Sequence, residues 1–161
     1  MSIIRSQLWL PTNTIITLDL DERFKIMPNF AVWELANKLD TSQEVKFWIP
    51  SEDSWTFLNM CQITRNHYGE ITVNSFDRTP EYNASIGGDP NSCHLIGEAM
   101  DIGRPNQTDK QRADWVAWFR ALCDAFHKIG AIGLYTWGFH IEIGSDLRFG
   151  ATEFQVRNYI K

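Results

Sequence analysis

No apolar run in the chain approaches the roughly 20 residues that a membrane-spanning helix needs, so membrane insertion is not expected. Positive charge is scarce as well. Fifteen Lys and Arg stand against twenty Asp and Glu, a net charge of −5. A nucleic-acid partner is therefore not expected, because a phosphate backbone calls for a basic patch or stripe. Cysteine is limited to Cys61, Cys93 and Cys123, far apart and without a CxxC pair, which argues for buried free thiols over a disulfide framework. The first twenty residues lack a continuous apolar stretch and a small-residue cleavage site, so no signal peptide is read there. Synthesis in a cytoplasm is the expectation, with release or delivery if the substrate lies outside. Repeats, low-complexity tracts and linkers are missing too. The 161 residues are read as one domain, a monomer, with 1–28 an extension packed on it.

What is present suits a folded domain. Apolar residues make up 43% and charged residues 22%. Seven Trp are read first as core packing, and second as an aromatic cleft for a glycan or peptide. Residues 1–30 read as irregular chain with a strand or two. A short helix is expected over 31–39, with Val32, Leu35, Ala36 and Leu39 inward. A second helix begins after Ser51 as N-cap, with Glu52 and Asp53 in its first turn, and ends at Gly69. Its core face is read as Trp55, Leu58, Cys61 and Ile63 or Thr64. A strand follows over 71–75, then a turn-rich loop over 76–91, then a strand over 98–102. Thr108 to Gln111 form a capping box for a helix over 108–129 that Gly130 stops. Strands over 131–135 and 139–143 close the reading. The order implies an α+β domain, with helices flanking a small antiparallel sheet.

Two segments carry chemistry. The first is Ser92-Cys93-His94-Leu95-Ile96-Gly97-Glu98-Ala99-Met100-Asp101. His94 and Asp101 are residue types that bind zinc, but a separation of seven would send them to opposite faces of a straight strand. The chain must bend between them, and Gly97 is where it can. The second is Phe139-His140-Ile141-Glu142-Ile143, a strand with His140 and Glu142 on one face. Alone, it also fits a half-exposed strand with a polar outer side. Two histidines and one carboxylate would leave a fourth zinc position for water, the pattern of a catalytic rather than a structural site.

Taken together, Ser92-x-His94-x-x-Gly97-x-Ala99-x-Asp101 and the later His140-x-Glu142 resemble the zinc D-Ala-D-Ala carboxypeptidase family, which includes murein peptidases and phage endolysins. The segment from Val73 through Arg78 to Asn83, with Gly87-Gly88 after it, is similar to the stretch such proteins carry before the first ligand. The likeness runs over about 29–148. It implies a single zinc site on a fold of the D-Ala-D-Ala carboxypeptidase and hedgehog type, with His94, Asp101 and His140 as ligands. It implies a peptidoglycan stem peptide as substrate, Glu142 as the base that takes a proton from water, and Arg78 as the group that holds a carboxylate or stabilises charge on the scissile carbonyl. Ser92 matches a serine that hydrogen-bonds locally, and Tyr82 is read as a substrate-orienting residue.

Three positions depart from the family pattern. Phe76-Asp77 stands where relatives carry Gly-Tyr, Cys93 where many carry Gln, and Trp137 where other branches place an acid three residues before the last ligand. The last departure makes Glu142 the nearby acid for the base. Two other readings stay open: a non-catalytic zinc-bearing module of a phage particle, and an enzyme of the same fold cutting a different murein bond.

Overall fold

The computed structural model of the chain describes residues 3–37, 46–144 and 150–160. The N-terminal segment is more regular than its sequence suggests. Strands β1 (Ile3–Leu10) and β2 (Thr14–Asp21) pair antiparallel in unbroken register, from Ile3 opposite Asp21 to Leu10 opposite Thr14. Asn13, at φ 58, turns the chain between them. β1 alternates strictly, burying Ile4, Ser6 and Leu8, whereas β2 is exposed along most of its length and so shows no hydrophobic period to read. β3 (Lys25–Met27) and β4 (Phe30–Ala31) form a small ribbon that leads into α1 (Val32–Leu35). That helix is one turn long, because Ala36 is already extended; Leu39 lies outside the described residues. β5 (Lys46–Ile49) adds to β1 in parallel, completing a three-stranded sheet ordered β2-β1-β5.

The longer helices follow their capping signals. Ser51 Oγ accepts from the Ser54 amide at 3.1 Å to open α2 (Glu52–Tyr68), and Gly69, at φ 77, ends it. Phe57, Leu58, Met60 and Cys61 form its buried face; Trp55 and Ile63 are only half-buried. The Thr108–Gln111 capping box opens α4 (Asp109–Ala125), which buries Trp115, Phe119 and Leu122. This helix stops short of Gly130. His127 takes φ 53 and the Lys128 amide donates back to the Cys123 carbonyl, while Gly130 begins the next strand.

The second sheet holds the site. It is ordered β10-β8-β9-β7-β6, from β6 (Thr72–Ser75), β7 (Ala99–Gly103), β8 (Gly130–Tyr135), β9 (Gly138–Ile143) and β10 (Gln155–Asn158). β10 runs parallel to β8, so the sheet is mixed and the expected all-antiparallel arrangement holds for the other four strands. One face carries Met100, Ile102, Ile132, Leu134, Phe139, Ile141 and Ile143, all in the central cluster with the buried sides of α2 and α4. Trp115 stacks on Phe139 with ring centroids 4.7 Å apart. Ile4, Leu8, Phe47 and Ile49 of the first sheet belong to the same cluster. The tryptophans are not chiefly core residues. Trp115 is buried, whereas Trp33 and Trp137 are exposed and the other four lie between.

Strand pairing puts chemistry on the opposite face. Ser75 lies opposite Asp101, Asp101 opposite His140, His140 opposite Gly133, and Gly133 opposite Arg157. These five residues form one row across the sheet. A register shift between Val73 and Ser75 sends the first to the core side and the second into this row.

Candidate metal centre

His94 reaches the row from a turn and not from a strand. Residues 93–96 form a 3-10 turn whose N-cap is Ser92, its Oγ accepting from the His94 amide at 3.4 Å. Gly97 follows at φ 67, in the left-handed region, and redirects the chain into β7. The bend between His94 and Asp101 is therefore at Gly97, and the odd spacing is resolved.

The imidazole of His94 is fully buried. Its Nδ1–H donates to the Phe76 carbonyl at 2.6 Å; a carbonyl can only accept, so the lone pair lies on Nε2. That Nε2 is buried without a hydrogen-bond partner and sits 3.4 Å from Asp101 Oδ2. His140, directly across the strand pair, places Nδ1 2.8 Å from Asp101 Oδ1 and Nε2 2.9 Å from Glu142 Oε2. The two imidazole rings lie 5.1 Å apart, and one ligand atom from each of His94, Asp101 and His140 falls within 4.8 Å of the others.

This trio fits a divalent metal. A buried acceptor nitrogen with no partner is costly, and a cation among the three groups supplies what it lacks. Two neutral nitrogens and one carboxylate oxygen form a borderline-soft donor set of the kind zinc takes. Charge states agree with that reading. Burial pulls the His94 imidazole below its usual range, which keeps the ring neutral as a ligand must be. Burial alone would raise Asp101, but the hydrogen bond from His140 and the closeness of both imidazoles outweigh it and hold the carboxyl well below the carboxylate range. For His140, burial would lower the value, but the bonds to Asp101 and Glu142 dominate and push it up to about 9 in the metal-free protein.

The trio opens into a cavity of about 630 Å³. Gly87, Gly88 and Asp89 border it on one side, and Tyr135, Trp137 and Tyr159 on another. The three rings are stacked: Tyr135 lies 4.7 Å from Trp137 and 4.6 Å from Tyr159. Arg78 and Ser92 also line this space. Arg78 is anchored, its Nε donating to Ser75 Oγ at 3.0 Å and its Nη2 paired with Asp101. Cys93 is buried.

Tyr82 is not brought to the cavity. Thr79 Oγ1 caps Tyr82 N at 3.2 Å and Pro80 takes the first turn of α3 (Pro80–Ser85), so part of the expected loop coils into a helix instead of running along the cleft. Glu142 lines the cavity, with its carboxylate engaged on both oxygens. Its Oε2 meets His140 at Nε2, the ring nitrogen turned away from Asp101. Its Oε1 is 3.0 Å from Nη2 of Arg157, a residue the sequence reading passed over. Nothing local marks Arg157, Tyr159 or Gly133 as site residues, because strand pairing alone brings them there.

A family model described as peptidase M15 matches residues 28–141, well over half of the chain. No curated protein and no solved structure matches it.

Proposed function

Because the chain belongs to the peptidase M15 family, we propose that it is a zinc metallopeptidase hydrolysing a peptide bond in the stem peptides of bacterial peptidoglycan. Among the described residues no helix is long and apolar enough to cross a membrane. The observation that carries the reading is the buried, partnerless Nε2 of His94, facing the carboxylate of Asp101, which in turn meets Nδ1 of His140. We take these three as the ligands of one zinc per chain. When bound there, zinc would lower the pKa of a water to about 7 and polarise a scissile carbonyl.

The remaining roles belong to side chains. Arg78 presents a guanidinium at the cavity wall beside Asp101, suited to a substrate carboxylate or to the oxygen of the carbonyl under attack. Its backbone N–H donates to the His94 carbonyl at 3.1 Å, so the arginine and the first ligand are braced together. Ser92 holds the turn that carries His94. The stacked rings of Tyr135, Trp137 and Tyr159 form an apolar wall against which a peptide can lie with water excluded. Gly87 and Gly88, with Ile86 and Asp89 beside them, form the facing rim. The wall is reached after release or delivery from the cell that makes the chain, as part of a phage or host lysis event.

Digestion of purified murein by the zinc-loaded chain, read by mass spectrometry with a chelator control, tests the reading. New termini at a stem-peptide bond, lost with chelator, are expected, and the masses distinguish carboxypeptidase from endopeptidase cleavage. Intact murein with a zinc-replete protein would refute it.

A further inference from the structure

Glu142 and His140 leave β9 on the same face, two residues apart, and meet at His140 Nε2. The other ring nitrogen, Nδ1, is the one that faces Asp101. The two nitrogens of an imidazole point away from each other, so the full ring stands between the Glu142 carboxylate and anything held by Nδ1. His94 is arranged in the same way: its Nδ1 is tied behind to the Phe76 carbonyl, and its Nε2 looks inward. Each imidazole thus has an acceptor at its back, which fixes both tautomer and ring orientation.

Glu142 is itself fixed. It is 2% exposed, with Oε2 on His140 and Oε1 on Arg157 Nη2 at 3.0 Å. Arg157 comes from β10, beyond the family-matched segment, and the residue between it and His140 in the row is Gly133. A Cβ at Gly133 would stand 3.3 Å from His140 Cβ and 2.9 Å from the Tyr135 ring. The glycine leaves room for His140 and the stacked rings beside it.

We propose that Glu142, anchored by Arg157, is the positioning residue that holds the His140 imidazole for metal binding, and is not the acceptor of the water's proton. The inference rests on the metallopeptidase reading. The relay runs Arg157, Glu142, His140, metal, and its last strand belongs to the functional unit. Among the described residues, Asp89 is then the acid on the cavity wall that is neither a ligand nor placed behind one.

The experiment measures zinc affinity of the purified full chain by competition with a chelator, and murein turnover at saturating zinc, for wild type, Glu142→Ala, Glu142→Gln and Arg157→Gln. Glu142→Ala is expected to weaken zinc binding about 10- to 100-fold, the usual effect of removing such a partner. In Glu142→Gln the amide oxygen still accepts from Nε2–H, so zinc affinity is expected to stay within about threefold of wild type and turnover within about tenfold. Arg157→Gln is expected to weaken zinc binding by less than Glu142→Ala. A zinc-replete Glu142→Gln with turnover down about 10²-fold or more would make Glu142 the base and overturn the inference. Unchanged zinc affinity in both Glu142→Ala and Arg157→Gln would overturn it too. A wild-type chain that binds no zinc would instead remove the metallopeptidase reading, and this inference with it.

Discussion

Replacing Gly138 by alanine tests the strand pairing on which the site is built. Gly138 opens β9 and lies opposite Gly103 of β7, two residues from the Asp101–His140 pair. A Cβ there would stand 1.9 Å from the Ile102 carbonyl oxygen and 2.7 Å from the Arg104 amide nitrogen, at a φ of +152°. Both neighbours are backbone, so no side-chain rotation relieves the clash. The unfavourable φ costs about 1–3 kcal/mol. Moving β9 away also breaks the bond from the Arg104 amide to the Trp137 carbonyl, worth about 1 kcal/mol net. The expected loss is about 3 kcal/mol. For a domain of this size each kcal/mol lowers Tm by about 2–4 °C, giving a drop of about 6–12 °C. Calorimetry of the zinc-free protein reads the value, and chelator competition should show weaker zinc binding alongside it, since the displaced strand carries His140. A Gly138→Ala protein melting within about 2 °C of wild type, with unaltered zinc affinity, would refute the close approach of β7 and β9.

Three further outcomes are expected. Metal analysis should find one zinc per chain, and His94→Ala, Asp101→Ala and His140→Ala should each lose most of it; full zinc in any two would break the ligand set. Arg78→Lys should keep zinc and fold but lose about 10-fold or more in kcat/KM, because lysine offers one point charge where the guanidinium holds Ser75 and Asp101 together. The zinc-free protein should also lose stability with rising pH. The His140 pKa is raised to about 9 from an ordinary 6.5, so its contribution is full below about 6.5 and is lost as pH climbs through about 9. Urea denaturation at pH 6, 7.5 and 9 checks this, and a flat or rising profile across that window would contradict it.

Local signals were legible where they are self-contained. The α2 N-cap at Ser51, the Thr108–Gln111 box and the left-handed Gly97 are each decided by a few neighbouring residues, and each stands where the sequence puts it. The β8–β9 hairpin was also readable, since Gly138, Phe139, Ile141 and Ile143 alternate or turn as such a pair must. The signals that failed depend on partners distant in the chain. β2 is paired but exposed and leaves no periodic mark, and β10 is four residues long with its polar side facing the cavity. Phe126 to Ile129 continue a helical spacing, but the backbone reverses at His127 before they can join the helix. A spacing of two puts Glu142 on one face with His140, yet it cannot say which ring nitrogen Glu142 meets. That depends on Asp101 having taken the other one.

In β7 and β9 the site residues alternate with core residues. His140 lies between Phe139 and Ile141, and Asp101 between Met100 and Ile102. A one-residue slip of β9 would turn His140 and Glu142 into the apolar interior and expose Phe139 and Ile141 to the cavity. Two buried ionisable groups would then be stranded among hydrocarbon, so no near-miss pairing retains even a weakened site. Metal uptake would in this way be a proofreading signal for the sheet: a chain that captured an ion between Asp101 and His140 would have its β7 and β9 strands aligned to the residue. The time course of uptake after dilution from denaturant would therefore follow strand alignment, not mere collapse.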